Sequence, residues 1–206
     1  MQNKLLRASL LCAVIFLSIR ELGFLLNGLI IRGLNYFFVD ADVYSWHHVF
    51  WGMQDALFGV EQLSLLVAGL VLIIGAFKSI PALMGGIFLC SYSMFVDLRM
   101  VSYYIFREPG MQEVVSGLYA QWIIWPLIVL FAAAFICIAL HYKSQAMLWL
   151  SVGMMLVRMV MQTAVVAMNH GWIGYTWYSL ITGIVGIVLF AFQLVVLILW
   201  FRKAKQ

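Results

Sequence analysis

The stretch SMFVDLRMVSYYIF, residues 93–106, sets Asp97 and Arg99 two residues apart inside an otherwise apolar run. Arg20, Glu21, Glu61 and Arg158 interrupt other apolar segments in the same way. One charge at the centre of a bilayer costs roughly 2.5–3.5 kcal/mol even on the lenient insertion scale. These residues must therefore face partners or water rather than lipid. Three are cationic and three anionic, so pairing between helices is the plainest expectation. Their other chemistry is anion recognition, because a guanidinium presents a planar fork of donors suited to carboxylate or phosphate.

Helical spacing adds polar neighbours to these charges. Arg99 stands three and four residues from Ser102 and Tyr103, and Arg158 four from Gln162. Glu61 is three from Ser64, and Asp97 four from Ser93. The predicted ligand-binding or charge-network set is therefore Arg20, Glu21, Glu61, Asp97, Arg99, Tyr103, Arg158 and Gln162. An anionic solute or a lipid headgroup could replace a carboxylate as counter-ion. A carboxylate such as Asp97 or Glu61 could instead take up a proton and so couple transport.

The surrounding chain is 66% hydrophobic and 10% charged over 206 residues, with a mean hydropathy of +1.05. Soluble domains carry about 25% charged residues. An all-α integral membrane protein is the expectation, forming a single transmembrane domain over 1–206. Six spans are predicted at approximately 6–31, 57–77, 81–106, 119–140, 146–168 and 177–201, each near the ~20 residues that cross a bilayer. The N-terminal segment reads as a retained first span, since its apolar run resumes after Arg20-Glu21 and no small-residue cleavage site follows it. The stretch DVYSWHHVFWGMQDALF predicts a short helix near 43–56, lying along the interface.

Charge is distributed unevenly between the connections. "KSI" at 78–80, "HYKSQ" at 141–145 and the final "RKAKQ" are basic, whereas the longer connections carry Asp40, Asp42, Asp55, Glu108 and Glu113. The positive-inside rule then puts both termini in the cytoplasm, in a bacterial inner membrane. The net charge of +4 reads as topology and not as affinity for nucleic acid. Trp46, Trp51, Trp122, Trp172 and Trp177 cluster near the outer ends, as an interfacial belt does.

Segments of the third and fifth spans resemble each other: LRMVSYYIFREPG with VRMVMQTAVVAMNHG, and FKSIPALM with YKSQAMLW. Three tandem helical hairpins, each with one arginine in its first helix, would explain this. Chance similarity among apolar helices is the competing explanation.

Enzymatic and cofactor signals are thin. No HExxH, GxSxG or phosphate-loop pattern occurs. Cys12, Cys90 and Cys137 are isolated, without metal-ligand or redox spacing. No histidine falls inside a span, which argues against a b-type haem, and no cofactor is expected. His47, His48 and His170 are weak metal candidates on one predicted side, with Asp40, Asp42 or Asp55 nearby.

Two functions fit these residues. One is binding or translocation of a small, anionic solute or lipid through an Arg/carboxylate-lined pocket. The other is a non-transporting membrane subunit that senses, anchors or assembles a larger complex, with the charges as structural salt bridges. A chain with so little surface outside the membrane is expected to work as a homo-oligomer or with another membrane subunit.

Overall fold

The computed structural model describes the backbone of residues 2–37, 43–75, 79–105 and 124–204. Side chains are described at 3–24, 26, 50, 52–75, 79–95 and 124–204, apart from 169, 175, 176 and 179. Among these residues the chain is all-helical. Its elements are α1 (Gln2–Phe37), α2 (Val43–Gly75), α3 (Ile80–Ile105), α4 (Ile124–His141), α5 (Gln145–Asn169) and α6 (Tyr175–Lys203). Four helical stretches are long and apolar enough to cross a membrane: Gly52–Gly75, Ile124–His141, Gln145–Met168 and Leu180–Lys203. Ile80–Phe95 is a shorter apolar stretch.

Local chemistry sets several helix ends. Pro81 and Pro126 fall in the first turns of α3 and α4, where a missing N–H breaks no helical bond. Ser144 caps α5 by accepting from the Met147 N–H. Gly171, at φ +70°, supplies the left-handed residue after α5 that a side chain would resist.

One expectation is corrected. The separate interfacial helix near 43–56 is the first part of α2, which runs unbroken from Val43 to Gly75. No proline intervenes and glycine costs only about 1 kcal/mol within a helix, so nothing stops the backbone there. The first span likewise extends beyond 6–31 to fill Gln2–Phe37. At about 1.5 Å per residue, α1 and α2 rise roughly 50 Å or more, beyond the ~30 Å of a hydrocarbon core.

Each helix packs against the next in sequence, and α6 returns to pack on α1. The result is a closed ring of alternating helices. Ser144 and its neighbours turn α4 straight into α5. Ser79 Oγ and His141 Nδ1, 2.8 Å apart, tie the α2–α3 connection to the end of α4. That end of the ring also carries Lys4, Arg7, Lys143, Arg202 and Lys203. Arg7 lies over the Phe201 ring at 4.9 Å, joining the start of α1 to the end of α6.

Apolar residues at helical spacing fill the ring. Leu6, Leu10, Ala13 and Leu17 do so from α1, Leu65, Ala68 and Leu72 from α2, and Phe131, Phe135 and Ile138 from α4. An aromatic column runs through them. Trp200 meets Phe135 edge-on at 6.0 Å, Phe135 meets Phe131 at 4.9 Å, and Phe131 meets Tyr92 at 4.5 Å. Such contacts fix ring positions as well as burying area.

Glycine permits the tightest crossing. A Cβ on Gly86 would lie 2.7 Å from the Gly69 carbonyl oxygen and 3.2 Å from the Ile73 nitrogen, both backbone atoms that cannot move aside. Gly86→Ala should therefore destabilise the folded protein by about 1–3 kcal/mol, seen as a lower Tm in detergent. Gly183 has open space around it, so Gly183→Ala should leave Tm unchanged or raise it. Equal Tm values for the two variants would show that α2 and α3 do not cross at these glycines.

Candidate functional site

Helix α1 brings Arg20 to the ring interior, where all three guanidinium nitrogens are engaged. Nε and Nη2 donate to Glu21 Oε1 at 3.3 and 2.8 Å. Nη1 stands 2.7 Å from Glu61 Oε2 of α2. That contact is an ion pair whose N–H points off the line of a hydrogen bond, since Oε2 has no aligned donor. The Phe58 ring covers the guanidinium at 5.0 Å. Glu61 is fully buried, and its other oxygen accepts from Gln193 Nε2 of α6 at 3.1 Å. One carboxylate thus joins three helices.

Arg158 of α5 is held differently. Its guanidinium lies 4.5 Å from the Phe131 ring centre and 6.0 Å from that of Tyr92. Nη1 donates to the Tyr92 hydroxyl over a long 3.4 Å, and Nε is buried with no acceptor. No carboxylate among the described residues lies within ion-pair distance of it. Arg158 still acts on Glu61 electrostatically, less strongly than Arg20 does. Every helix contributes to this cluster: Arg20 from α1, Glu61 from α2, Tyr92 from α3, Phe131 from α4, Arg158 from α5 and Gln193 from α6.

Polarity is lopsided along the ring axis. Toward the Ser79 end, Ser9 and Ser151 are buried but each donates to its own helix backbone, at Leu6 O and Met147 O. The remaining interior there is mainly the aromatic column, although Arg7 Nε and Trp200 Nε1 are also buried there without a hydrogen-bond partner. Gln62 is a buried amide level with the cluster, beside Glu61 on α2, and Gln54 and Gln162 are buried toward the other end. Gln62 Oε1, Gln54 Oε1 and Ser93 Oγ have no hydrogen-bond partner. Buried polar atoms of this kind are ordinarily satisfied by water or a ligand.

The predicted residues divide into three groups. Arg20, Glu21 and Glu61 meet directly, and Arg158 joins them through the cluster. Gln162 is buried four residues beyond Arg158. Asp97, Arg99 and Tyr103 lie on α3, and their side chains fall outside the described residues. Ser64 does not line the site with Glu61: its hydroxyl donates to Val60 O, as serines in helices often do.

The repeat comparison also shifts. With the two Lys-Ser turns at one end, Arg158 stands level with Tyr92 and Ser93 of α3. Arg99 lies roughly 10 Å further along that helix. The two sequence similarities therefore fall in different registers. For metal binding, His47, His48, Asp40 and Asp42 lie outside the described side chains. His170 is exposed and stacked on Trp172 at 5.2 Å. Among the described residues no metal-holding group of His, Cys, Asp and Glu comes together.

Tyr92, Phe131 and Gln193 are site residues that the sequence reading misses. Gln193 had a signal, a lone amide within FAFQLVVLIL. The two aromatics had none, because nothing distinguishes them from core residues. Comparison with family models, with curated proteins and with solved structures finds no match to this chain.

Replacing Glu61 by Gln should leave the Arg20 charge short of a partner inside the ring, costing about 3–5 kcal/mol and lowering Tm. Arg20→Gln added to it should restore part of the loss. Strictly additive effects in this double-mutant cycle would mean that the two groups do not interact.

Proposed function

We propose that the chain is a six-span membrane protein that binds or translocates a small anion at Arg158. The carrying observation is that this half-buried cation has two aromatic faces and a long hydroxyl contact, but no carboxylate partner among the described residues. An anion accepting from its free N–H groups would complete it.

Exposed tryptophans support the membrane placement. Trp149 near the start of α5 and Trp172 just after it are 71% and 73% exposed. The rise from Trp149 to His170 is about 32 Å, close to the ~30 Å hydrocarbon thickness. Arg158 falls within about 3 Å of its midpoint. The basic Ser79 end then faces the cytoplasm, with both termini, in a bacterial inner membrane. Access is from the opposite side, where Gln54 and Gln162 are buried. The column of Trp200, Phe135 and Phe131 closes the cytoplasmic half.

A second reading is favoured by a different observation. The 2.7 Å Arg20–Glu61 pair has the geometry of a strut between helices. If Arg158 is also only a strut, the protein is a structural subunit of a larger membrane assembly.

Native mass spectrometry of protein released from mild detergent separates the two. Wild-type protein should retain a discrete anionic molecule or lipid that Arg158→Gln loses while remaining folded. A folded Arg158→Gln protein with unchanged adducts, or a bare complex with a protein partner, would favour the subunit.

A further inference from the structure

The charges that meet at the cluster cancel. Among the described residues, Arg20 and Arg158 are matched by Glu21 and Glu61, so the empty cluster carries no excess. An anion seated on Arg158 would bring one negative charge too many into a region of low dielectric. Arg20 would then face both Glu21 and Glu61, with the field of Arg158 spent on the ligand. A proton restores neutrality most directly. Glu61 is the carboxylate best placed to take it, being fully buried, whereas Glu21 is partly exposed.

The groups around Glu61 are suited to both of its protonation states. It faces Arg20 and Glu21 from α1, Arg158 from α5, and the Gln193 amide from α6. On α2 itself the next acid is Asp55, and on α3 Asp97 and Arg99 lie outside the described side chains. Gln193 now donates Nε2 to the Glu61 carboxylate. Turned over, the same amide offers its carbonyl oxygen to a protonated Glu61. A lysine or arginine at 193 would serve only the charged form.

We propose that occupation of Arg158 by an anion is coupled to uptake of one proton by Glu61, with Gln193 as the positioning residue for both states. This rests on the anion-binding reading of Arg158. The step is a protonation alone: a solvent proton forms an O–H bond on the Glu61 carboxylate, and no other bond or electron is transferred.

Infrared difference spectroscopy of the full chain in lipid nanodiscs tests it. Arg158→Gln removes the cation as a bound anion would neutralise it. A protonated-carboxyl C=O band should therefore appear at neutral pH, absent from wild type stripped of bound anion and from Arg158→Lys treated alike, and lost when Glu61→Gln is added. In wild-type protein stripped of bound anion, nitrate, which does not titrate, is the probe, and about one proton should enter per nitrate bound. Lack of the band in folded Arg158→Gln, or nitrate binding without a proton, overturns the coupling. Should Arg158→Gln fail to fold, the nitrate measurement on wild type decides alone. If wild type holds neither nitrate nor a native anion, the anion reading of Arg158 falls, and the coupling falls with it.

Discussion

A charge cannot be left facing lipid, and the Arg20–Glu61 ion pair shows how this chain meets that constraint. Glu61 is fully buried and draws α1 and α6 toward α2, through Arg20 and Gln193. Taking two charges out of water costs several kcal/mol per ion unless geometry and extra hydrogen bonds compensate. Here the compensation comes from Glu21, Gln193 and the Phe58 face, each from a defined helical position. The ring of helices and the ionic cluster therefore depend on one another. Without closure the charges would meet lipid, and without the charges α1, α2 and α6 would lose a common point of attachment.

The same constraint separates two halves of the interior. One half is packed with Trp200, Phe135 and Phe131 and silences its buried serines by bonding them to their own helices. The other holds the buried amides of Gln54 and Gln162, and Gln62 lies level with the cluster; the carbonyl oxygens of Gln54 and Gln62 are unsatisfied. Arg158 lies at the junction. A purely structural bundle has no need to leave the amide oxygens of Gln54 and Gln62 unsatisfied near a half-buried cation, because each such atom costs about 1–3 kcal/mol. A bundle that admits water and an anion from the amide-bearing half does.

Residue types made the all-helical class and a set of charges within apolar helices readable. Charges in apolar runs are so expensive that their positions alone reveal the problem the fold must solve. Partner choice was not readable. Spacing along one helix ties Glu61 to Ser64, yet the structure pairs it with Arg20 and Gln193, both distant in sequence. Only the order of helices around the ring decides that. Gln193 shows how a weak local signal becomes central once helices meet, whereas Tyr92 and Phe131 matter only because Arg158 lands between them. The polar composition over 43–56 suggests a separate interfacial helix, but composition does not break a backbone that contains no proline.

The most direct measurement is an experimental density map of the protein in lipid nanodiscs, examined at the Arg158 guanidinium. Non-protein density within hydrogen-bonding distance of Arg158 is expected, with Glu61 still joined to Arg20 and Gln193. Arg158 paired with a protein carboxylate such as Asp97, and no added density beside it, would contradict the anion site and make the whole charge set structural.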